Sequence, residues 1–147
     1  MNDNSGLYFT LFNEIGILQQ LGRAQLEAHL PEGLIAPHFG VLNHLIRVSD
    51  GRTPLELARA FQVAKTTMSH TVAGLEKHGC INLRPNPDDR RSKQVWLTEK
   101  GRSVRDAAIA GLAPEMLELV DIVPPDRVQQ MVKDLEQLRR YMDARRD

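Results

Sequence analysis

The run Thr53-Pro54-Leu55-Glu56 carries a complete helix start. The threonine hydroxyl can cap, proline suits the first helical position, and the glutamate three residues on completes a capping box. Leu55, Leu57, Ala58 and Phe61 then make one apolar side. The pattern breaks at Gln62-Val63-Ala64 and resumes as a second helix, Lys65 to His78, with Met68, Val72 and Leu75 spaced to face inward. Gly79 stands where a left-handed C-cap belongs. Ile81-Asn82-Leu83-Arg84 then reads as a strand, followed by NPDDRRSKQVWLT from Asn86 to Thr98. Pro85 and Pro87 bracket Asn86 at a turn, and Val95 and Leu97 alternate with Gln94 and Trp96 on a returning strand. Two short helices followed at once by a hairpin predict a winged helix-turn-helix. The chain is therefore expected to be mainly α with one small β-hairpin.

The outward residues of the second helix are Lys65, Thr66, Thr67, Ser69, His70 and Ala73. They are short, hydrogen-bonding or positive, as a helix lying in a DNA major groove requires. An exposed amphipathic helix would show the same pattern. The hairpin tip adds Arg90, Arg91 and Lys93 beside Asp88 and Asp89. Such a charge run by itself is usually a solvated loop. The wider charge distribution argues for more. From Arg52 to Arg102 there are ten basic and five acidic residues, while the flanks together hold nine basic and fourteen acidic ones. A basic centre between acidic ends suggests a polyanion-binding middle held by arms that do not bind it.

The flanks read as helices. Leu7 to His29 repeats apolar residues at Leu7, Leu11, Ile15, Leu18 and Leu21, and Phe9, Phe12, Ile17 and Leu26 widen that surface. Pro31, Gly33 and Pro37 mark a break before a helix from Phe39 to Val48, which ends at the turn Ser49-Asp50-Gly51. Thr98 can cap a long helix that Leu112, Met116, Leu119 and Val120 extend. After Pro124 and Pro125, the residues Val128, Met131, Leu135, Leu138 and Met142 recur at spacings of three or four. That stripe, with Leu11 and Ile15 at the other end, favours packing against a second copy over packing within the chain.

The 147 residues suffice for one domain. Apolar and charged fractions of 41% and 26% are ordinary for a globular chain. No run approaches the ~20 apolar residues of a membrane span. The opening MNDNSG lacks the features of a signal peptide, so a cytoplasmic location is expected. The single Cys80 can form no intramolecular disulfide and no four-cysteine zinc site. His29, His38, His44, His70 and His78 form no metal-ligand spacing, though His38 and His44 could join a metal or ligand pocket. There is no glycine-rich phosphate loop and no nucleophile with an evident base. The chain is expected to be no enzyme and to need no cofactor or metal.

The run PLELARAFQVAKTTMSHTVAGLEKHGCINLRPNPDDRRSKQVWLTEKG, Pro54 to Gly101, resembles the DNA-binding core of the MarR family of bacterial transcriptional regulators. LEKHG and PDDRRSKQVWLTEKG carry the likeness most specifically. The resemblance implies a homodimer, triangular in outline, that binds palindromic double-stranded DNA. Residues 1–147 would form one domain, with 7–34 and 104–147 as dimerisation helices and 36–103 as the winged helix-turn-helix, its wing at about 81–98. Many members are repressors released by small phenolic or other aromatic ligands, and some sense metals or oxidation. The position of Arg91 implies a minor-groove arginine, and that of Asp89 a support for the wing arginines. Arg90 and Lys93 would meet phosphates. Arg84 is either a phosphate contact or an ion-pair partner. The ligand pocket would draw on Phe12, His38, Phe39 and Leu42. Other readings are a metal- or redox-responsive sensor and a protein-binding winged helix.

Three residues depart from the family pattern. His70 stands where arginine is frequent, Ala64 offers no capping oxygen, and Leu83 replaces a frequent arginine. Cys80 is expected to point into the wing base. Trp96 is expected on the wing face opposite Val95 and Leu97, covering the wing or touching the partner.

Overall fold

The structure, a computed structural model, describes residues 3–146. Met1 and Asn2 of the MNDNSG stretch, and Asp147 at the end of the expected domain, lie outside the described residues. In chain order the elements are α1 (Asp3–Glu27), α2 (Ala36–Arg47), α3 (Pro54–Phe61), α4 (Lys65–Lys77), β1 (Ile81–Asn86), β2 (Asp89–Leu97), α5 (Glu99–Glu118), a short 3-10 turn (Leu119–Asp121) and α6 (Pro125–Ala144). Contacts divide the chain into two compact units, Met1–Gly111 and Leu112–Asp147, and the division falls inside α5.

The first unit holds the core. Leu42, Leu57, Leu75, Ile81, Val41, Val95 and Cys80 are its largest fully buried side chains. Each large aliphatic among them stabilises by about 1.5–3 kcal/mol relative to exposure. The α3 start is as the sequence dictates. Thr53 Oγ1 accepts from the Glu56 amide at 3.2 Å, and Glu56 Oε1 accepts from the Thr53 amide at 3.2 Å. Gln62, rather than a glycine, takes the left-handed turn after α3, with φ of 54°. Its side chain donates to Arg59 O at 2.8 Å, which helps hold that conformation. Gly79 follows α4 with φ of 73°, as a C-terminal cap should.

Several boundaries differ from expectation. α1 starts at Asp3 and ends at Glu27, and α2 starts at Ala36 rather than Phe39. Pro37 therefore sits in the first turn of α2 and does not precede it. The early start is possible because Glu27 Oε2 accepts from the Ala36 amide at 2.9 Å and His38 Nδ1 accepts from the Ile35 amide at 2.9 Å. Leu119 and Val120 lie in the 3-10 turn, not on the preceding helix.

The hairpin pairs antiparallel in register Ile81↔Leu97 through Pro85↔Lys93, with an irregularity at Pro85/Asn86 before the tip. The segment Ser49-Asp50-Gly51 does more than turn the chain. Arg52 O accepts from Val95 N at 2.7 Å, and Asp50 Oδ1 accepts from Leu97 N at 2.9 Å. The base of the wing is thus tied to the connection between α2 and α3. Trp96 covers Gly51, where a Cβ would lie 2.5 Å from the indole and where φ is 72°. A side chain at Gly51 is excluded on both counts. At the base of α5, Thr98 Oγ1 accepts from the Gly101 amide at 3.0 Å.

The second unit holds the end of α5, the 3-10 turn and α6. Pro125 opens α6 in the position proline favours, and no residue of α6 is buried.

Candidate nucleic-acid interface

α4 presents two faces. Met68, Thr71, Val72 and Leu75 are buried, while Lys65, Thr66, Thr67, Ser69, His70 and Ala73 are exposed. The exposed set is the one the sequence assigns to the outer face. Ala64 makes no side-chain cap, so the first-turn amides of α4 have no side-chain acceptor at that position.

The wing tip is organised by short-range bonds. Asp89 Oδ1 accepts from the Arg91 amide at 2.9 Å and from Arg91 Nε at 3.3 Å. The Arg91 side chain is 91% exposed and that of Asp89 42%. A pair this open adds little stability. Its effect is to bias the direction of an otherwise free guanidinium. Asn86 donates to Ser92 Oγ at 2.9 Å and accepts from Asp88 N at 3.0 Å, which closes the tip. Arg90 and Lys93 are exposed beside it. Arg84 lies with its guanidinium 5.1 Å from the centre of the Trp96 ring. That cation–π contact, rather than an ion pair, seats the Arg84 side chain on the wing, and it gives Trp96 a task at the wing base.

An exposed polar helix face, followed at once by a basic hairpin rooted in the same core, makes a winged helix. A profile of the MarR family matches residues 32–92, from the connection before α2 through most of the wing. The chain belongs to the MarR family.

Among proteins of known role, this MarR-family chain is 32% identical over 100 residues to the transcriptional activatory protein BadR of Rhodopseudomonas palustris. The match spans 67% of this chain and 55% of that protein, so the chain spans about half the length of that relative. Wild-type MarR of E. coli in its apo form is 25% identical, with a TM-score of 0.72 over 87% of this chain and 96% of that one. A MarR family protein from Bacillus stearothermophilus shares the fold at 18% identity, with a TM-score of 0.76 over 97% and 99% of the two chains. A MarR family regulator from Rhodococcus sp. RHA1 does so at 23% identity, with a TM-score of 0.74 over 92% and 93%.

Beside α4 this MarR-family protein has a cavity of about 910 Å³, walled by α1, α2 and α4 and by the end of α3. Arg23, Leu26, His38, Phe61, Thr66 and His70 are among its lining. Of the four pocket residues expected from the sequence, His38 lines it. Phe12, Phe39 and Leu42 do not: Leu42 is fully buried in the core, Phe39 is half-buried and Phe12 is exposed on α1. The turn of each helix about its axis decides this, and spacing alone leaves it open.

The other sequence candidates fall as follows. Among the described residues no three His, Cys, Asp or Glu side chains gather into a metal-binding group. His44 packs against Phe61 with ring centres 5.4 Å apart. Cys80 is fully buried where the wing strands join the core, in one cluster with Ile81 and Val95. Burial pushes its thiol pKa up, more than the nearby Lys100 draws it down, so the reactive thiolate is disfavoured. The interface candidates Val128, Met131, Leu135 and Met142 are exposed, while Leu138, Leu11 and Ile15 are half-buried. No helix of the described residues is long and apolar enough to cross a membrane.

Proposed function

We propose that the protein is a homodimeric transcriptional regulator acting in the cytoplasm. It places α4 in the major groove and the wing in the flanking minor groove of a palindromic operator, and it represses until a small, largely apolar ligand enters the cavity that α4 lines together with α1 and α2. The observation that carries this reading is the pairing of an exposed polar α4 face with a wing whose Arg91 is directed by Asp89. Family membership and the local excess of positive charge support it. The exposed apolar stripe of α6 and the apolar surface of α1 support a second copy as partner. The cavity, mostly apolar with Arg23, His38, Thr66 and His70 at its wall, supports an organic effector with a polar group. BadR is by name an activator. A promoter fusion with and without the protein decides the direction of control.

On α4, Thr66, Thr67, Ser69 and His70 would face bases and Lys65 the phosphates. His70→Ala is expected to lose about 1–3 kcal/mol of discrimination at one base pair per half-site. Selection from random duplexes should then return a consensus relaxed at that position. An unchanged consensus would remove His70 from the base readers.

On the wing, Arg91 would enter the minor groove, whose negative potential is strongest where it is narrow and A·T-rich. Arg91→Ala should weaken binding to A·T-flanked operators most. Lys93→Ala should weaken all sequences alike and lower the salt slope by about one per half-site, as a lost phosphate contact does. Arg90 would act like Lys93, and Arg84 would reach a phosphate from its seat on Trp96. Asp89→Ala separates the two accounts of the wing. The lost negative charge alone would tighten binding; loss of the Arg91 tether would weaken specific binding. Weakening is expected in gel-shift titrations, and tightening would reduce the wing to a charged loop.

A further inference from the structure

His38 stands where the first turn of α2, the α4 helix and the cavity meet. Its Nδ1 accepts from the Ile35 amide at 2.9 Å. Ile35 is the N-cap of α2 and has no polar side chain, so the imidazole does what a glutamate or glutamine does at the third position of a capped helix. The next amide, of Ala36, goes to Glu27 of α1 at 2.9 Å, and Glu27 is paired with Arg23 at 3.1 Å. Pro37 has no amide hydrogen. Two acceptors therefore hold the entry of α2, and one of them is a histidine.

The far side of the ring meets α4. A Cβ at Gly74 would lie 2.8 Å from His38 Nε2, so α2 and α4 approach through this ring over a glycine. The ring also lines the cavity with His70. His38 thus touches the helix start, the middle of α4 and the ligand space at once.

A neutral imidazole has one acceptor nitrogen; an imidazolium has none. Protonation would set an N–H against the Ile35 N–H and strip α2 of that cap. We propose that His38 is a positioning residue whose neutral ring seats α2 against the DNA-facing helix, and that protonating it loosens this seat and weakens operator binding. The inference rests on the DNA-binding reading above. The charged and titratable groups around it are Arg23 and Glu27 from α1, His70 from α4 and His78 at the cap that follows α4. Burial is the main cause holding the His38 pKa below the ordinary histidine value, and His78 and His70 lower it further. The sign follows: with the folded value depressed, the stabilisation is full above the ordinary value of about 6.5 and is lost as pH falls through the lower folded value.

The test compares wild type, His38→Gln and His38→Leu on one duplex selected from random DNA by the wild type at pH 7.5. Glutamine keeps an acceptor at the capping position and does not titrate; leucine fills space without accepting. At pH 8, His38→Gln should match wild type, and His38→Leu should bind roughly fivefold more weakly, the factor one capping bond is worth. Between pH 8 and pH 5, wild type should fall roughly fivefold relative to His38→Gln, while the ratio of the two variants stays constant. Comparison with glutamine cancels every effect of pH on DNA binding that does not pass through His38. Hydrogen-exchange protection of the Ile35 amide, measured without DNA, should fall with pH in wild type and persist in His38→Gln. A wild-type to His38→Gln ratio independent of pH, or wild-type Ile35 protection unaffected by acid, overturns the proposal. If the wild type selects no duplex, the DNA-binding reading fails instead, and Ile35 protection still decides whether His38 is a proton-sensitive cap.

Discussion

Leu135→Asp should leave α6 helical yet yield a monomer that binds no operator. On the isolated chain nothing buries α6. Leu135 is 38% exposed, and Val128, Met131 and Met142 on the same stripe are more so. If that stripe faced only water, an aspartate would cost no more than the difference in helix propensity, about 0.5 kcal/mol. If a second copy covers it, the same change buries a carboxylate among leucines and methionines and costs several kcal/mol. The two situations therefore differ by roughly an order of magnitude, and the single chain cannot hide the difference. α1 presents the same problem, with no buried residue and with Leu7, Phe9, Leu18 and Leu21 each more than 60% exposed. A surface that apolar on one small chain calls for a partner. Sedimentation at micromolar concentration checks both forms. A monomeric wild type, or a Leu135→Asp dimer of undiminished affinity, would sink the dimer proposal.

Gly101→Ala should lower stability by about 3 kcal/mol, although alanine in a helix is ordinarily the better residue by about 1 kcal/mol. The opposite sign comes from packing. Gly101 is buried at the start of α5, and an added Cβ would collide with the carbonyl oxygen of Cys80. Leu97 Cδ1 lies 3.0 Å from the same point. The carbonyl cannot simply retreat, because it accepts from Thr98 N at 3.1 Å. Thr98 is held in turn by donating to Gly79 O at 2.7 Å while accepting from Gly101 N at 3.0 Å. The strand start, the wing end and the helix start share one tight knot. A loss of that size lowers the midpoint of thermal unfolding by roughly 10 °C in a chain this long. Lys100→Ala, on an exposed neighbour, should stay within about 0.5 kcal/mol of wild type. Circular dichroism on both variants settles it, and a Gly101→Ala midpoint equal to or above that of wild type would refute the packing account.

What the sequence determined by itself are the features whose partners are close along the chain. The Thr53–Glu56 box forms within one helical turn, so its residue types identify it. The same holds for Thr98 capping α5, while the bond of Asp89 to Arg91, also local, is one that the family resemblance implied. The apolar spacing of Met68, Val72 and Leu75 separates the buried face of α4 from its polar one, because helical periodicity is a local property. The apolar stripe from Val128 to Met142 is legible for the same reason, since its residues recur at helical spacing.

Only tertiary structure decided the features whose partners are far apart in sequence. The early start of α2 depends on a carboxylate nine residues upstream, delivered by the packing of α1. The bond from Leu97 N to Asp50 spans 47 residues and turns a plain loop into the anchor of the wing. Arg84 reached an indole rather than a carboxylate because antiparallel register, not composition, places Trp96 beside it. The cavity took Arg23, Thr66 and His70 and left out Phe12, Phe39 and Leu42, because its wall is set by how three helices rotate against one another. Periodicity assigns a residue to a face of its own helix; which neighbour that face meets is a property of the packed core.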